Sequence, residues 1–430
     1  MLFHILFFLI TFASLSFDIY SWIRKNIEKD VRPVFISLIA KLTSLSLIAY
    51  SHFVAIISGI SFWIVMLLLM AIISFLNRKN KLSWIEVKQD LLKIDFRSLL
   101  FFLILIGLAF PIIKKNIIYS GYWDAWAIWL PHAKFIASDN WDLFFRFTPQ
   151  MGAHPDYPLM LPTWIAMGWK ITHSSGQIIP LLVEVAVFIF ILLLALQSQK
   201  KYWAGLIMVF LLVYLNIFLK WAFSGYADTM LSLFFLAAIM SYYVFKQHSD
   251  KLMWVVGFLA ASAGWVKNEG LLFFVLMSFL LSIRFFKQKE WKPLKYYIFG
   301  SILPLLVIIG FKSLIVTSND LVSSWHRTFN QLFEMERYGI ILNFLYHTIV
   351  NFYRPLILII FLLLWFRRYQ IFKSLGFRII VGLIAGYILI YAMSPAGLEW
   401  HLRTSADRLI LHIYPALLFL GIKFLSVKID

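Results

Sequence analysis

Ionisable side chains stand at five places in this chain where the neighbouring residues are apolar or aromatic. Asp124 lies in Ser120-Gly121-Tyr122-Trp123-Asp124-Ala125-Trp126. A carboxylate held among aromatics can take a proton from a hydroxyl as general base, or do no more than cap the helix behind it. In His154-Pro155-Asp156-Tyr157-Pro158-Leu159 two prolines fix the backbone, so that His154, Asp156 and Tyr157 project from a rigid turn. Asp228 follows Ser224-Gly225-Tyr226-Ala227 at the start of an apolar run, where a carboxylate also complements the helix dipole. Lys267 and Glu269 sit between two short apolar stretches, as a self-contained ion pair or as a cation offered to an anionic head group. The fifth place is Glu399-Trp400-His401-Leu402-Arg403 with Asp407-Arg408. Arginine there suits a phosphate, because its planar fork matches phosphate oxygens. The plainer alternative is an internal pair with Asp407.

Other chemistries are excluded by what is missing. The chain has no cysteine, hence no disulfide, thiolate metal site, iron–sulfur cluster or cysteine nucleophile. No zinc-protease, phosphate-loop, dinucleotide or calcium-loop pattern occurs, and the histidines are scattered. Neither a metal nor a cofactor is expected.

The elements that must position these residues follow from composition. Of 430 residues 62% are hydrophobic and 14% charged, with a mean hydropathy of +0.83. Soluble domains carry about 25% charged residues, and a polar skin cannot be built from 14%. A soluble enzyme, a disordered chain and a nucleic-acid binder are excluded. The net charge of +18 reads instead as basic loops on the cytoplasmic side of a membrane protein. Crossing about 30 Å of hydrocarbon takes about 20 apolar residues. Thirteen stretches answer to this: 1–23, 33–52, 54–76, 98–117, 176–197, 203–220, 226–245, 252–266, 270–286, 296–317, 340–366, 379–394 and 409–426. Barrel strands would be about 10 residues long and alternating, which these are not. The expected fold is therefore all-α and polytopic.

The first stretch lacks the basic start and small-residue cleavage site of a signal peptide, and its basic flank, Arg24-Lys25, comes after it. That places the N-terminus outside. Alternating from there puts most of the 39 basic residues inside and leaves 118–175, 221–225, 267–269, 318–339 and 395–408 outside, so all five places share the outer face. Three regions result: N-terminal membrane helices over 1–117, an outer loop over 118–175 with an interfacial helix near 125–137, and a membrane core over 176–430. The chain shows no internal repeat, which speaks against an inverted-repeat transporter.

Taken in order, these motifs resemble those of the GT-C superfamily of integral-membrane glycosyltransferases, and within it the branch of protein O-mannosyltransferases and the lipid A aminoarabinose transferase. That branch has an acidic residue in its first large outer loop, an interfacial helix closing in a Gly-Asp-Trp-like turn, and a Lys-Pro-Pro-Leu-Tyr-like segment. Here Asp124 takes the acidic position. Ala133 to Trp141, with Asp139, resembles the helix and turn, and His154 to Leu159 the proline segment, with His in place of Lys. Tyr226 to Leu231 resembles the Asp-led outer helix start, Gly264 to Gly270 the Lys-Glu-Gly-like break, and Arg408 to Pro415 the Arg-Tyr-Leu-Leu-Pro-like approach to a late helix. The likeness covers about residues 118–426. It departs in placing the acidic loop after the fourth span and in leaving only short later loops.

The resemblance implies a GT-C-like fold in the cell inner or plasma membrane. It also implies transfer of a sugar, with inversion, from a polyprenyl-phosphate-linked donor to a lipid, glycan or protein acceptor on the outer face. Asp124 would be the general base. His154, Asp156, Tyr157, Asp228, Lys267, Glu269, His401, Arg403 and Arg408 would surround the substrates. Charge growing on the leaving lipid phosphate needs preorganised cations, for which His154, Lys267, Arg403 and Arg408 are the candidates. No nucleotide sugar is needed. From another class, a secondary transporter or flippase for a lipid-linked or anionic substrate would use the same charges as substrate or proton sites. A non-catalytic assembly subunit is a third option.

Overall fold

A computed structural model describes residues 2–28, 30–79, 82–91, 96–118, 121–138, 140, 144–146, 148, 154–197, 202–314, 329–366, 369–394 and 397–426. Among them every regular element is a helix. In chain order these are α1 (Leu2–Lys25), α2 (Pro33–Ser58), α3 (Phe62–Asn77), α4 (Trp84–Leu91), α5 (Phe96–Asn116), a π-helical turn (Ala125–Trp129) running into α6 (Leu130–Ala137), α7 (Met160–Thr172) and α8 (Ile178–Gln197). Then come α9 (Tyr202–Val213), α10 (Asn216–Ala222), α11 (Asp228–Phe245), α12 (Met253–Val266), α13 (Asn268–Gln288) and α14 (Trp291–Leu314). The chain closes with α15 (Met335–Phe352), α16 (Arg354–Trp365), α17 (Gln370–Lys373), α18 (Leu375–Ala392) and α19 (Leu398–Ser426).

Nine of these helices are long and apolar enough to cross a membrane, and eleven spans result if each of two bent pairs counts as one. The protein is a multi-pass membrane protein. Two expected spans, 203–220 and 340–366, are broken: α9 and α10 meet at 75°, α15 and α16 at 93°. The second break falls at Tyr353-Arg354-Pro355, where a proline withholds its N–H from the preceding turn. Two more, 54–76 and 252–266, form helices of 16 and 14 residues. At 1.5 Å per residue α12 reaches only about 21 Å. It is enclosed on all sides, every residue from Val255 to Val266 being buried. Its closest neighbour is α14, where glycines let the backbones touch: a Cβ on Gly257 would lie 1.9 Å from the Tyr297 carbonyl, and one on Gly300 1.8 Å from that of Trp254. By contrast α3 and α5 turn Leu68, Ile72, Phe75, Phe101 and Leu108 outward, as lipid-facing helices do.

The expected outer loop is itself folded. Helix runs over 125–137, and α7, which the apolar count did not single out, is buried against α1, α2, α6 and α8. Pro131 explains the π-turn. It lacks the N–H that would reach Ala127, so the register widens until Leu130 N–H meets the Ala125 carbonyl. Segments assigned to one side of the membrane meet at one end of the bundle. Arg24 pairs with Asp90 and Lys246 with Glu290 at the end rich in basic residues. The five places of interest lie at the other. The expected loop 395–408 is helical from Leu398 onward, continuous with the last span, and 318–339 is described only from residue 329.

Candidate active site

Asp124 and Asp228 are brought together by the backbone N–H groups of the two loops that carry them. Tyr122 donates its N–H to the Ser224 carbonyl at 2.8 Å, the Gly225 N–H goes to the Glu184 carboxylate, and the Asp124 N–H goes to the Tyr226 hydroxyl at 3.1 Å. Gly121 and Gly225 both hold positive φ, 67° and 80°, and a Cβ on either would lie 2.5 Å from that of Ala125. The two loops therefore approach at a point where only glycine fits. Asp124 ends up just before the π-turn and Asp228 at the first residue of α11.

Around these carboxylates the side chains form one node. Arg408 Nη1 lies 2.6 Å from Asp124 Oδ2 and 3.6 Å from Asp228 Oδ2. Lys267 Nζ donates to Asp228 Oδ1 at 2.9 Å and lies 3.2 Å from Glu269 Oε1. His412 Nε2 donates to the same Asp228 oxygen at 2.7 Å. Asp228, Lys267 and His412 are buried. Three carboxylates thus face two fixed cations and one imidazole. In a low-dielectric setting such groups persist only when paired. Tyr226 and Trp221 form a wall, with the Arg408 guanidinium 5.0 Å and 5.6 Å above their rings.

The proline turn docks beside the node. Lys312, from the end of α14, donates to Asp156 Oδ2 at 2.9 Å, to the Asp156 carbonyl, and to Asn268 Oδ1 at 2.9 Å. Buried His132 on α6 has Nδ1 2.8 Å from the Ile128 carbonyl and Nε2 3.4 Å from the Pro155 carbonyl; burial lowers its affinity for a proton, and the neutral ring donates to one of the two. His154 stacks on Tyr157, ring centres 4.4 Å apart. Tyr157 lies within range of the charges on Glu269, Lys267, Arg408 and Asp124, and burial above all raises its pKa, so it stays a hydroxyl donor.

Of the residues singled out from sequence, Asp124, Asp228, Lys267, Glu269 and Arg408 share the node, with Asp156, Tyr157 and His154 on the adjoining turn. His401 stands further up α19, bonded to Ser394 at 2.7 Å and edge-on to Tyr391. Arg403 does not join: its side chain is 72% exposed against 14% for Arg408, and it pairs with Glu399 on its own helix. Asp407, the expected internal partner of an arginine, instead accepts the Trp221 indole N–H at 3.0 Å. Ser120, Asp139 and Trp141 lie outside the described residues. His412, Tyr226, Asn268 and Lys312 complete the site without having been proposed as site residues. His412 has a signal, standing four residues after Arg408 and so on the same helix face. At the far end of α11, Glu28, Asp30 and His248 bring ligand atoms within 4.8 Å of one another, but both acids are exposed and the grouping is separate from the node.

Comparison with known protein families, curated proteins and solved structures returned no match.

Proposed function

We propose that this chain is a membrane glycosyltransferase, moving a sugar with inversion from a polyprenyl-phosphate-linked donor to an acceptor hydroxyl on a lipid, glycan or protein. Convergence of Asp124, Asp228, Lys267 and Arg408 from four separate segments onto one node carries this reading. Attack at an anomeric carbon that expels a lipid phosphate needs a carboxylate base beside preorganised cations. The acceptor oxygen forms the new bond to the anomeric carbon. The bond to the phosphate oxygen breaks with its electron pair staying on phosphate, and the acceptor proton passes to Asp124. Before that step Arg408 must turn from Asp124 to the donor phosphate, which frees the base as the donor arrives.

Purified protein in liposomes, given a panel of hexosyl and pentosyl prenyl phosphates together with lipid, glycan and peptide acceptors, should release prenyl phosphate. Asp124→Asn should remain folded and lose about 10²–10⁴-fold of that turnover, the usual contribution of a general base. Turnover within about threefold of wild type would move the base to Asp228 or Asp156. Burial of the Asp228–His412 contact favours the second reading, transport or lipid flipping, since such pairs serve as proton relays. That reading requires intact donor to cross the bilayer without release of prenyl phosphate. The distribution of basic residues supports an outer-face position for the node. An impermeant thiol reagent should therefore label a cysteine placed at Ser174 and not one placed at Lys79.

A further inference from the structure

Behind the junction of the Gly121 and Gly225 loops stands a carboxylate that is no member of the node. Glu184 is the one ionisable residue of α8, about 9 Å along the helix from Ile178. It is 8% exposed, and its Oε1 accepts the Gly225 N–H. It lines a small cavity with Leu130 of α6, Leu161 and Ile165 of α7, and Leu181 of its own helix. Gln177 is the other polar side chain in that lining.

The carboxylates of the node face cations, whereas Glu184 faces a backbone N–H. A carboxylate in apolar surroundings is costly even when it is hydrogen-bonded, and a methionine would fill the same room without that cost. Packing alone therefore gives no reason for an acid here, but the placing of the acceptor does. Gly225 and Gly121 both press on Ala125, the neighbour of Asp124. Gly225 directly precedes Tyr226, whose hydroxyl takes the Asp124 N–H and whose ring lies beneath the Arg408 guanidinium. Asp228 follows three residues later as the first residue of α11. An acceptor that holds the Gly225 N–H thus holds the segment carrying Tyr226 and Asp228 against the segment carrying Asp124.

We infer that Glu184 is a positioning residue: its carboxylate anchors Gly225 and, through Tyr226 and Ala125, sets Asp124 against Asp228 and Arg408. Its effect on turnover rests on the reading of Asp124 as general base, while the anchoring itself does not depend on what the site transfers. Misplacing a reacting group by about 1 Å costs about 10²-fold in rate. What Glu184 supplies is an acceptor for an N–H, and the amide oxygen of a glutamine can supply the same.

The test compares Glu184→Met and Glu184→Gln with wild type, as the full chain in nanodiscs. Glu184→Met should melt no earlier than wild type, because an apolar side chain suits the pocket. Its amide hydrogen exchange, read by mass spectrometry on peptides covering 121–126 and 221–228, should nevertheless quicken by about tenfold, the factor that one hydrogen bond supplies. Its kcat for release of prenyl phosphate should fall by about 10–10²-fold with the donor KM within about threefold. Glu184→Gln should return exchange and most of the turnover. A lower melting temperature in Glu184→Met with unchanged exchange in both peptides would show a merely structural acid and overturn the inference. A loss in Glu184→Gln equal to that in Glu184→Met would overturn it too, by showing that charge or a proton is what matters. Should wild type release no prenyl phosphate with any donor and acceptor, the transferase reading falls, and the exchange measurement alone then upholds or overturns the anchoring by Glu184.

Discussion

The Arg408 guanidinium and the Asp124 carboxylate, 284 positions apart in sequence, meet at 2.6 Å with both side chains largely buried. The contact ties the last helix to the segment ahead of the π-turn. It should therefore appear in stability as well as in chemistry. Arg408→Ala leaves Asp124 without its cation and Asp228 with one fewer, an uncompensated charge costing about 3–5 kcal/mol. Asp124→Ala/Arg408→Ala should be less unstable than the sum of the single variants, with a coupling of about 0.5–3 kcal/mol in a double-mutant cycle on detergent-solubilised protein. Additivity would mean that the two side chains do not hold each other.

Asp228 and Lys267 form a more deeply buried pair. Lys267→Met should express poorly and unfold earlier, since Asp228 then keeps only Arg408 and His412. Adding Asp228→Asn removes the stranded charge. The double variant should melt above Lys267→Met alone, the pattern seen when a buried ion pair is replaced as a unit. A double variant no more stable than the single would show that Asp228 is not the group strained by losing Lys267.

Arg403 and Arg408 should behave differently although both were assigned to the donor phosphate from sequence. Arg403→Ala changes an exposed pair with Glu399, which contributes about 0.2–1 kcal/mol at most, and should leave the affinity for a prenyl-phosphate analogue unchanged. Arg408→Lys keeps the charge and loses the planar fork, so stability should largely return while that affinity stays reduced. A loss of affinity in Arg403→Ala equal to that in Arg408→Lys would place the phosphate on the exposed face of α19.

Gly225→Ala tests the loop contact. With φ at 80° and the new Cβ 2.5 Å from that of Ala125, the substitution forces the loops apart. A residue held in so disfavoured a conformation costs about 1–3 kcal/mol. Its melting temperature should fall more than that of Gly339→Ala, where nothing lies within 4 Å of the added carbon. Equal shifts would show that the contact does not constrain the site.

How much of this was legible depends on contrast. Asp124, Asp228, Lys267 and Arg408 stood out because a charge in an apolar run is costly and needs a reason. His412 did not, since one histidine between Leu411 and Ile413 reads as core. Arg403 reads from sequence as a companion of Arg408 because residues 395–408 read as a loop, in which neighbours can converge. Within the continuous helix Leu398–Ser426, five residues turn the chain by about 140°, so Arg403 and Arg408 cannot face the same way. Nine of the thirteen apolar stretches became long helices, some facing lipid and others, such as α2 and α11, largely enclosed by the bundle. Hydropathy also sees the short α12 at its observed length, but not the bend of α15–α16, where a single proline decides the path.

The short central helix has a mechanical consequence. Lys267 follows directly on α12, a segment about 21 Å long that is clasped backbone to backbone against α14 and screened from the bilayer by other helices. A change in lipid chain length acts on the helices that lipid touches, α3 and α5 among them, and they can tilt in response. The ammonium group at the tip of α12 is carried on a post that stands clear of those walls. Its height above the bilayer midplane is set by protein contacts, and thick and thin membranes should leave it at the same level relative to Asp228.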